Sequence, residues 1–189
     1  MTELTEASTR ARLLAAAEQE LLATGYDRLS VRAVNAAAGM NPAAVHYHFG
    51  SKEALVATLL QERLGPLWQP RLAELTGTPS VAELVDAVIG PLTGLAADPV
   101  GRMRLHLLAR FVLGRRAPAF TDRWFALPPW VELLRAARPD LTAREARRRW
   151  AMAFTLVLHH YGDPLADVPG EPSPPGSLRA FVLAGLDGP

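Results

Sequence analysis

The sequence contains no cysteine, and only one of its 20 basic residues is a lysine, Lys52. The absence of cysteine excludes disulfides and thiolate metal sites, and it fits a reducing compartment such as the cytoplasm. No apolar run reaches the roughly 18 residues that a membrane-spanning helix needs, and the acidic, polar start is unlike a secretory signal. We therefore expect a cytoplasmic chain with no membrane partner.

The overall charge excludes one class of nucleic-acid binder. The 189 residues carry a net charge of +1, and 49% of them are hydrophobic, which is typical of one or two small globular domains. A protein held on DNA by bulk electrostatics is usually more basic than this. However, no acidic residue lies between Arg28 and Lys52, so that segment is locally cationic.

Hydrophobic periodicity predicts helices throughout and no strands, which gives an all-α fold. We expect a helix-turn-helix domain over residues 1–55 and a helical bundle over residues 56–189. Pro66 and Pro70 are expected to interrupt or kink the fourth helix. The predicted helices cover residues 8–24, 30–37, 42–48, a stretch from 51, 80–97, 99–115, 119–126, 129–138, 142–161 and 177–186, with a Pro- and Gly-rich loop at 162–176.

Two short helices near the N-terminus are separated by a turn that contains Gly39. Ser30 is a candidate N-cap of the first helix. Asn41 followed by Pro42 is a typical start of the second, because proline lacks the N–H that would be unsatisfied there. This is the spacing of a DNA-binding helix-turn-helix, whose second helix enters the major groove. From spacing alone, a simple corner between two helices of a bundle is an equal alternative.

The residues themselves favour the DNA-binding interpretation. The segment Ala38–Leu55, AGMNPAAVHYHFGSKEAL, resembles the signature of the TetR family of bacterial transcription regulators, as do Val31–Val34 and the helix from Thr9 to Tyr26. The resemblance is close over residues 9–60 and general beyond them. It implies an all-α homodimer that binds a palindromic operator, usually as a repressor, and releases the DNA when a small molecule enters the second domain.

The resemblance also implies which residues contact double-stranded DNA. Ala43 and Ala44 are small enough to touch a thymine methyl group, and His46 and Tyr47 can bond to a base edge or a phosphate. Because no residue of this helix offers a bidentate base contact except Asn41, which is expected to be a cap, groove shape should contribute to recognition. The predicted DNA-binding set is Arg32, Pro42, Ala43, Ala44, His46, Tyr47, His48 and Lys52, with Arg32, Tyr47 and Lys52 as phosphate contacts.

Two positions depart from the family pattern. Asn35, four residues before the turn glycine, replaces a small alanine where the two helices cross. Either its amide bonds to a backbone group or the crossing is wider. Met40 replaces the commoner valine, which is a milder change because methionine fills irregular gaps.

The second domain carries aromatic residues that suit a ligand pocket or an ordinary core. Arg104, His106 and Arg110 are candidates to orient an acidic ligand, or are solvated. A stripe on helix 142–161 suits a partner helix, because the resemblance places the dimer interface on this helix and on 177–186. The pocket candidates are Trp68, Met103, Leu107, Phe111, Phe120, Trp124 and Phe125, and the dimer candidates are Trp150, Phe154, Val157 and Tyr161.

No metal or cofactor is expected, because the histidines do not group with carboxylates at ligand spacing. The sequence also shows no nucleophile–base pair and no glycine-rich phosphate loop, so an enzyme is the weaker hypothesis. A TetR-like activator or adaptor that binds DNA weakly remains an alternative to a ligand-released repressor. Under either hypothesis, the sequence does not identify the inducer.

Overall fold

The computed structural model describes residues 2–75, 78–114, 120–162 and 175–188. Over these residues the chain is helical and has no strand, so the predicted all-α fold is confirmed. The helices are α1 (Thr2–Thr24), α2 (Val31–Ala37), α3 (Ala44–Phe49), α4 (Lys52–Glu74), α5 (Val81–Ala96), α6 (Pro99–Leu113), α7 (Leu127–Ala137), α8 (Ala143–Gly162) and α9 (Pro175–Asp187), with a 3-10 turn at Arg123–Phe125.

The chain divides into two compact units, Met1–Glu62 and Arg63–Pro189. The division falls within α4, a few residues after the boundary that the sequence predicts at residue 55. The first unit contains α1, α2, α3 and the start of α4. Its core consists of apolar side chains that are fully buried at helical spacing, and the leucines and valines among them each contribute about 1.5–3 kcal/mol of stabilisation; the core residues are Leu13, Leu14, Ala17, Val34, Val45, Leu55, Val56 and Leu59.

Of the two outcomes expected at Pro66 and Pro70, an interruption of the fourth helix is wrong, because α4 continues through both prolines. An interior proline removes a backbone hydrogen bond and costs about 3 kcal/mol. Leu64, Trp68 and Leu72 lie four residues apart on one face of the helix and are all buried. The Trp68 indole N–H also donates to the carbonyl of Val88 (3.4 Å). Packing of this face offsets the lost backbone bonds.

The remaining helices agree with the sequence in most places. The capping box of α8 is confirmed, since the Glu145 N–H donates to the Thr142 hydroxyl (3.2 Å) and Glu145 accepts from the Thr142 N–H (3.0 Å). The predicted helix at 119–126 is reduced to the turn Arg123–Phe125, whose Trp124 N–H donates to the Asp122 carboxylate (2.9 Å). Residue 119 and residues 163–174 of the predicted loop lie outside the described residues.

The C-terminal end of α9 is held by an arginine of α8. The Arg149 guanidinium donates to the carbonyls of Leu186 (3.0 Å) and Gly188 (2.6 Å). A cation is favourable there because the last carbonyls of a helix carry partial negative charge. This contact fixes α9 against α8, where Val157, Val182 and Leu186 are buried.

Candidate nucleic-acid interface

The turn between α2 and α3 is built around Gly39, which has a φ of +65°. The Met40 N–H donates to the carbonyl of Asn35 (2.8 Å), and the Arg12 guanidinium donates to the carbonyl of Ala38 (2.7 Å). The left-handed conformation is accessible to glycine at little cost and is strained for residues with a Cβ atom. The predicted role of Gly39 in the turn is therefore confirmed.

Replacing Gly39 by alanine is expected to lower the free energy of unfolding by about 1–2 kcal/mol because of the left-handed backbone. The added Cβ would also lie 3.1 Å from Nη2 of Arg12. Urea unfolding measures the change. Gly94→Ala is the matched control, because Gly94 lies inside α5 and an added Cβ there would meet no atom within 4 Å, so that variant should be slightly stabilised. A Gly39→Ala protein as stable as Gly94→Ala would contradict the prediction.

Asn35 holds the start of α3 against α2. Its side chain is 1% exposed. The amide Nδ2 donates to the carbonyl of Pro42 (2.7 Å), and Oδ1 accepts from the backbone N–H of Val45 (3.1 Å). Of the two outcomes expected for this departure from the family pattern, the structure shows the backbone-bonded one. Both polar groups of the buried amide are thus satisfied, and they fix the path of the chain into α3.

The short helix α3 begins at Ala44, two residues later than the sequence predicts. Pro42 and Ala43 form a turn before it, and the Asn41 carboxamide oxygen accepts from the Ala43 N–H (3.0 Å). Asn41 therefore caps this turn, as expected of its side chain, although the helix starts later. Ser30 stands at the N-cap position of α2, as the sequence predicts, although its hydroxyl accepts no capping hydrogen bond.

Two arginines of α1 bind backbone carbonyls of the helix-turn-helix. Arg10 donates to the carbonyl of His48 (2.7 Å), and its guanidinium lies 4.6 Å from the ring centroid of Phe49. Arg12 bonds to Ala38, as described above. Both cations therefore bind C-terminal carbonyls of the short helices, where the helix dipole favours positive charge. Sequence reasoning missed this role, because the spacing of α1 does not show which helix end its arginines meet.

The surface of α3 exposes most, but not all, of the predicted DNA-facing residues. Tyr47 is 75% exposed, and Pro42, Ala43 and His46 are also exposed, while His48 is half-buried. Ala44 is 6% exposed and faces the core beside Val45. The expected thymine contact of Ala44 is therefore not available in this conformation. One ring nitrogen of His46, Nδ1, bonds to the carbonyl of Gly50 (3.0 Å), which leaves Nε2 for an outside partner.

The predicted phosphate contacts flank this helix in the sequence. Arg32 is exposed at the start of α2. Lys52 begins α4, and its Nζ lies 4.5 Å from the ring centroid of Tyr26. The Tyr26 hydroxyl donates to Glu53 (3.3 Å). The backbone N–H of Glu53 lowers the pKa of its carboxyl most, with smaller effects from the Ser51 and Tyr26 hydroxyls and from Lys52, so Glu53 is ionised at neutral pH.

A cavity of about 260 Å³ lies within the second unit. Of the predicted pocket residues, Trp68, Trp124 and Phe125 line it. Phe120 does not line it but stacks on Phe125 (ring centroids 4.9 Å apart). Leu107 and Phe111 are buried elsewhere and Met103 is half-buried, so these three belong to the structure around the cavity rather than to its wall. The wall is formed by Trp68, Val88, Leu92, Leu108, Val112, Leu113, Trp124, Phe125, Ala126, Leu127, Trp130, Ala151, Phe154, Thr155, Val157 and Leu158.

The aromatic stripe predicted for a dimer interface faces the core of its own unit instead. Trp150 and Val157 are each 1% exposed, and Phe154 stacks on Trp150 with ring centroids 5.0 Å apart. The Tyr161 hydroxyl bonds to the hydroxyl of Thr93 (2.9 Å). The opposite face exposes other large apolar side chains: Met152 (65%) and Leu156 (36%) on α8, and Phe181 (70%) on α9.

Within the described ranges, no three His, Cys, Asp or Glu side chains group closely enough to hold a metal ion. No helix among the same residues has both the length and the apolar character needed to cross a membrane. The candidate functional site is the exposed helix α3, which follows the turn at Gly39. An all-helical chain with this motif is a helix-turn-helix protein of the kind that reads DNA.

Comparison with known proteins agrees with this class. Residues 13–59 match the family model described as bacterial regulatory proteins, tetR family. No curated protein matches the chain. Among solved structures, a transcriptional regulator from Rhodococcus sp. RHA1 is 25% identical, with a TM-score of 0.61 and 94% of each chain covered.

Two further structures share the fold across nearly the whole chain. NalD, the secondary repressor of the MexAB-OprM multidrug efflux pump in Pseudomonas aeruginosa, is 22% identical, with a TM-score of 0.60 and coverage of 95% of this chain and 96% of that chain. SmeT, solved as a complex with triclosan, is 22% identical, with a TM-score of 0.63 and coverage of 94% and 90%. The chain is therefore a DNA-binding transcription regulator: residues 13–59 match the tetR family, and nearly the whole chain has the fold of these solved regulators.

Proposed function

We propose that this regulator is a repressor that binds a palindromic operator as a homodimer in the cytoplasm and leaves it when a small molecule binds the second unit. It has no catalytic role in this proposal. The observation that carries the proposal is the exposed face of α3, where Tyr47 is 75% exposed while the helix is fixed by the buried Asn35. A helix that is held rigidly yet presents aromatic and imidazole groups outward is suited to a groove.

Direct readout of bases by this helix is limited. The Ala43 methyl and the Tyr47 hydroxyl are exposed, and Nε2 of His46 is not used by the Gly50 contact. The Asn41 Oδ1 already accepts from the Ala43 N–H, which disfavours the bidentate contact that an asparagine makes with adenine. With no arginine or lysine on α3 to read guanine, groove width and deformability must supply part of the specificity.

Phosphate contacts provide the sequence-independent part of the affinity. Arg32 and Lys52 stand on either side of the reader helix in a segment without acidic residues from 29 to 51. Lys52 also lies in the first turn of α4, where the helix dipole favours an anion. The Glu53 and Ala54 N–H groups of this turn already bond to the Glu53 carboxylate and the Ser51 hydroxyl, so the ammonium group is the part of this site that a DNA phosphate would contact.

The test is fluorescence anisotropy of the purified protein with labelled DNA from upstream of its own gene, at several salt concentrations. Arg32→Ala and Lys52→Ala should each weaken binding and reduce the slope of log K against log salt by about 0.9 per protomer. Arg144→Ala, which removes an exposed arginine of α8, is the control and should keep the wild-type slope. A wild-type protein that binds no DNA sequence better than scrambled DNA, including after genome-wide selection, would sink the proposal.

The dimer is supported by the exposed apolar residues of α8 and α9. Three large apolar side chains on these helices are exposed to solvent in a single protomer: Met152, Leu156 and Phe181. Exposed apolar groups on adjacent helices favour association with another copy, and a twofold pairing of α8 and α9 would bury them as a four-helix bundle. Such a dimer would present two reader helices to the two halves of a palindrome.

Release by a ligand is supported by the cavity of about 260 Å³ in the second unit. Concave apolar sites between helices are typical places for small molecules. Adding a ligand that binds this cavity should lower operator affinity if it favours the DNA-free conformation. If no ligand that binds the cavity changes operator affinity, release by a small molecule is wrong, whereas DNA binding by the regulator is not contradicted.

A further inference from the structure

The side chains that line the cavity of the second unit are almost all apolar. Five of its lining side chains are aromatic, and nearly all of the others are aliphatic. The aromatic rings meet each other edge to face or at a tilt, as between Trp68 and Phe125 (centroids 6.2 Å apart, 87° between planes) and between Trp130 and Phe154 (5.5 Å, 71°). Because aromatic rings pair favourably edge to face or in offset stacks, a wall of this kind suits an aromatic ligand.

No charged side chain lines this cavity among the described residues. The three groups that the sequence offered for an acidic ligand, Arg104, His106 and Arg110, are absent from its wall. The His106 ring instead bonds to the carbonyl of Gly162 (3.0 Å). Arg123 is near, but its guanidinium lies over the ring of Trp124 (4.6 Å) and is also not a lining group. An ion in this space would gain no charged partner from the described wall, and it would lose hydration wherever the apolar side chains cover it.

The polar groups of the wall are partly used. The indole N–H groups of Trp68 and Trp130 donate to the carbonyls of Val88 (3.4 Å) and Trp124 (2.9 Å). The hydroxyl of Thr155 donates to the carbonyl of Ala151 (2.8 Å). Thr155 is also exposed to solvent, so its oxygen, whose proton is used in this way, is left as an acceptor for water or for a hydroxyl or N–H donor of a ligand.

We propose that this cavity binds an uncharged, flat aromatic molecule with one hydroxyl or N–H donor, which bonds to Thr155. The aromatic walls favour a ring system, the absence of charge on the described part of the wall disfavours ions, and the Thr155 oxygen favours a donor. The regulatory meaning of such binding rests on the proposed function, whereas the binding itself does not.

Calorimetric titration with 2-naphthol and 2-naphthoate at pH 7 tests the proposal on the full chain. The two molecules share a ring system, but the phenol is neutral at this pH and the carboxylic acid is ionised. The naphthol should bind about 100-fold more tightly than the naphthoate, because a buried unpaired charge is strongly disfavoured. Equal or tighter binding of the naphthoate would overturn the proposal, and so would the absence of binding by 2-naphthol.

Two tryptophan substitutions on α6 locate the binding. Val112 lines the cavity and is 41% exposed, whereas Met103 is half-buried and does not line it. Because both side chains are partly exposed, both variants should fold. Val112→Trp should weaken 2-naphthol binding at least about tenfold by filling the cavity, and Met103→Trp should leave it unchanged. Equal effects of the two variants would place the ligand elsewhere.

The hydrogen bond from the ligand to the Thr155 oxygen is tested by Thr155→Val, which removes the hydroxyl acceptor and nearly keeps the shape of the side chain. Loss of one hydrogen bond should weaken 2-naphthol about 2- to 10-fold. An unchanged affinity would overturn the assignment of Thr155. The same samples are then mixed with operator DNA: 2-naphthol binding by a protein that binds no DNA would contradict the proposed function alone, and operator binding by a protein that ignores 2-naphthol would contradict this inference alone.

Discussion

Replacing Asn35 by leucine is expected to lower the free energy of unfolding of the N-terminal unit by about 2–5 kcal/mol. Leucine has a similar size but cannot replace either hydrogen bond, so the Pro42 carbonyl and the Val45 N–H would lose their partners beside a side chain that is 1% exposed. Each orphaned buried group costs about 1–3 kcal/mol. Urea unfolding, followed by circular dichroism, measures the loss.

The same substitution should weaken operator binding about 10- to 100-fold under conditions where the variant is still folded. The reason is that α3 loses the contacts that fix its start, and displaced base contacts cost about 1–3 kcal/mol each. Asn35→Asp is a second variant: its carboxylate can still accept from Val45, but it places a buried negative charge against the Pro42 carbonyl oxygen, so it should weaken DNA binding at least as much as leucine at neutral pH. A leucine variant that folds and binds operator like wild type would show that Asn35 does not position the reader helix.

The helix-turn-helix could be predicted from the sequence because its signals are local. The left-handed turn requires a residue without a Cβ atom, and Gly39 supplies it. The Asn41 side chain bonds only two residues ahead, and the Thr142–Glu145 capping box of α8 only three. Interactions over such short separations are fixed by residue type and spacing, which a sequence shows directly.

Features that depend on distant packing could not be predicted. Pro66 and Pro70 indicate an interruption of α4, yet the helix continues because Leu64, Trp68 and Leu72 are buried against the rest of the second unit. The roles of Arg10 and Arg12 likewise depend on helix ends that lie 38 and 26 residues away. Tertiary contacts override local propensity in such cases, and one sequence does not reveal them.

The inward packing of the stripe predicted for the dimer interface has the same physical origin. Helix α8 carries two apolar faces, and periodicity shows that a face is apolar without showing what covers it. The larger aromatic side chains, Trp150 and Phe154, pack inward against Trp130. Met152 and Leu156, which are smaller and less conspicuous in the sequence, face outward.

Replacing Phe181 by glutamate is expected to convert the proposed dimer to a monomer at micromolar concentration. Phe181 is 70% exposed in the protomer and lies on the helix that packs beside Met152 and Leu156 in the proposed interface. A central aromatic residue contributes about 2 kcal/mol or more to association, and twofold symmetry counts it twice. The dissociation constant should therefore rise about 1,000-fold, which sedimentation equilibrium measures.

Two control variants distinguish this interface from the alternatives. Leu22→Glu places the same charge at a residue of α1 that is 44% exposed, and it should leave the dimer intact. Phe154→Leu removes an aromatic ring that packs on Trp130 and Trp150, so it should lower thermal stability without dissociating the protein. If Phe181→Glu sediments as a dimer while Phe154→Leu becomes monomeric, the inward-facing stripe is the interface after all. The proposed pairing of α8 and α9 through Met152, Leu156 and Phe181 would then be wrong.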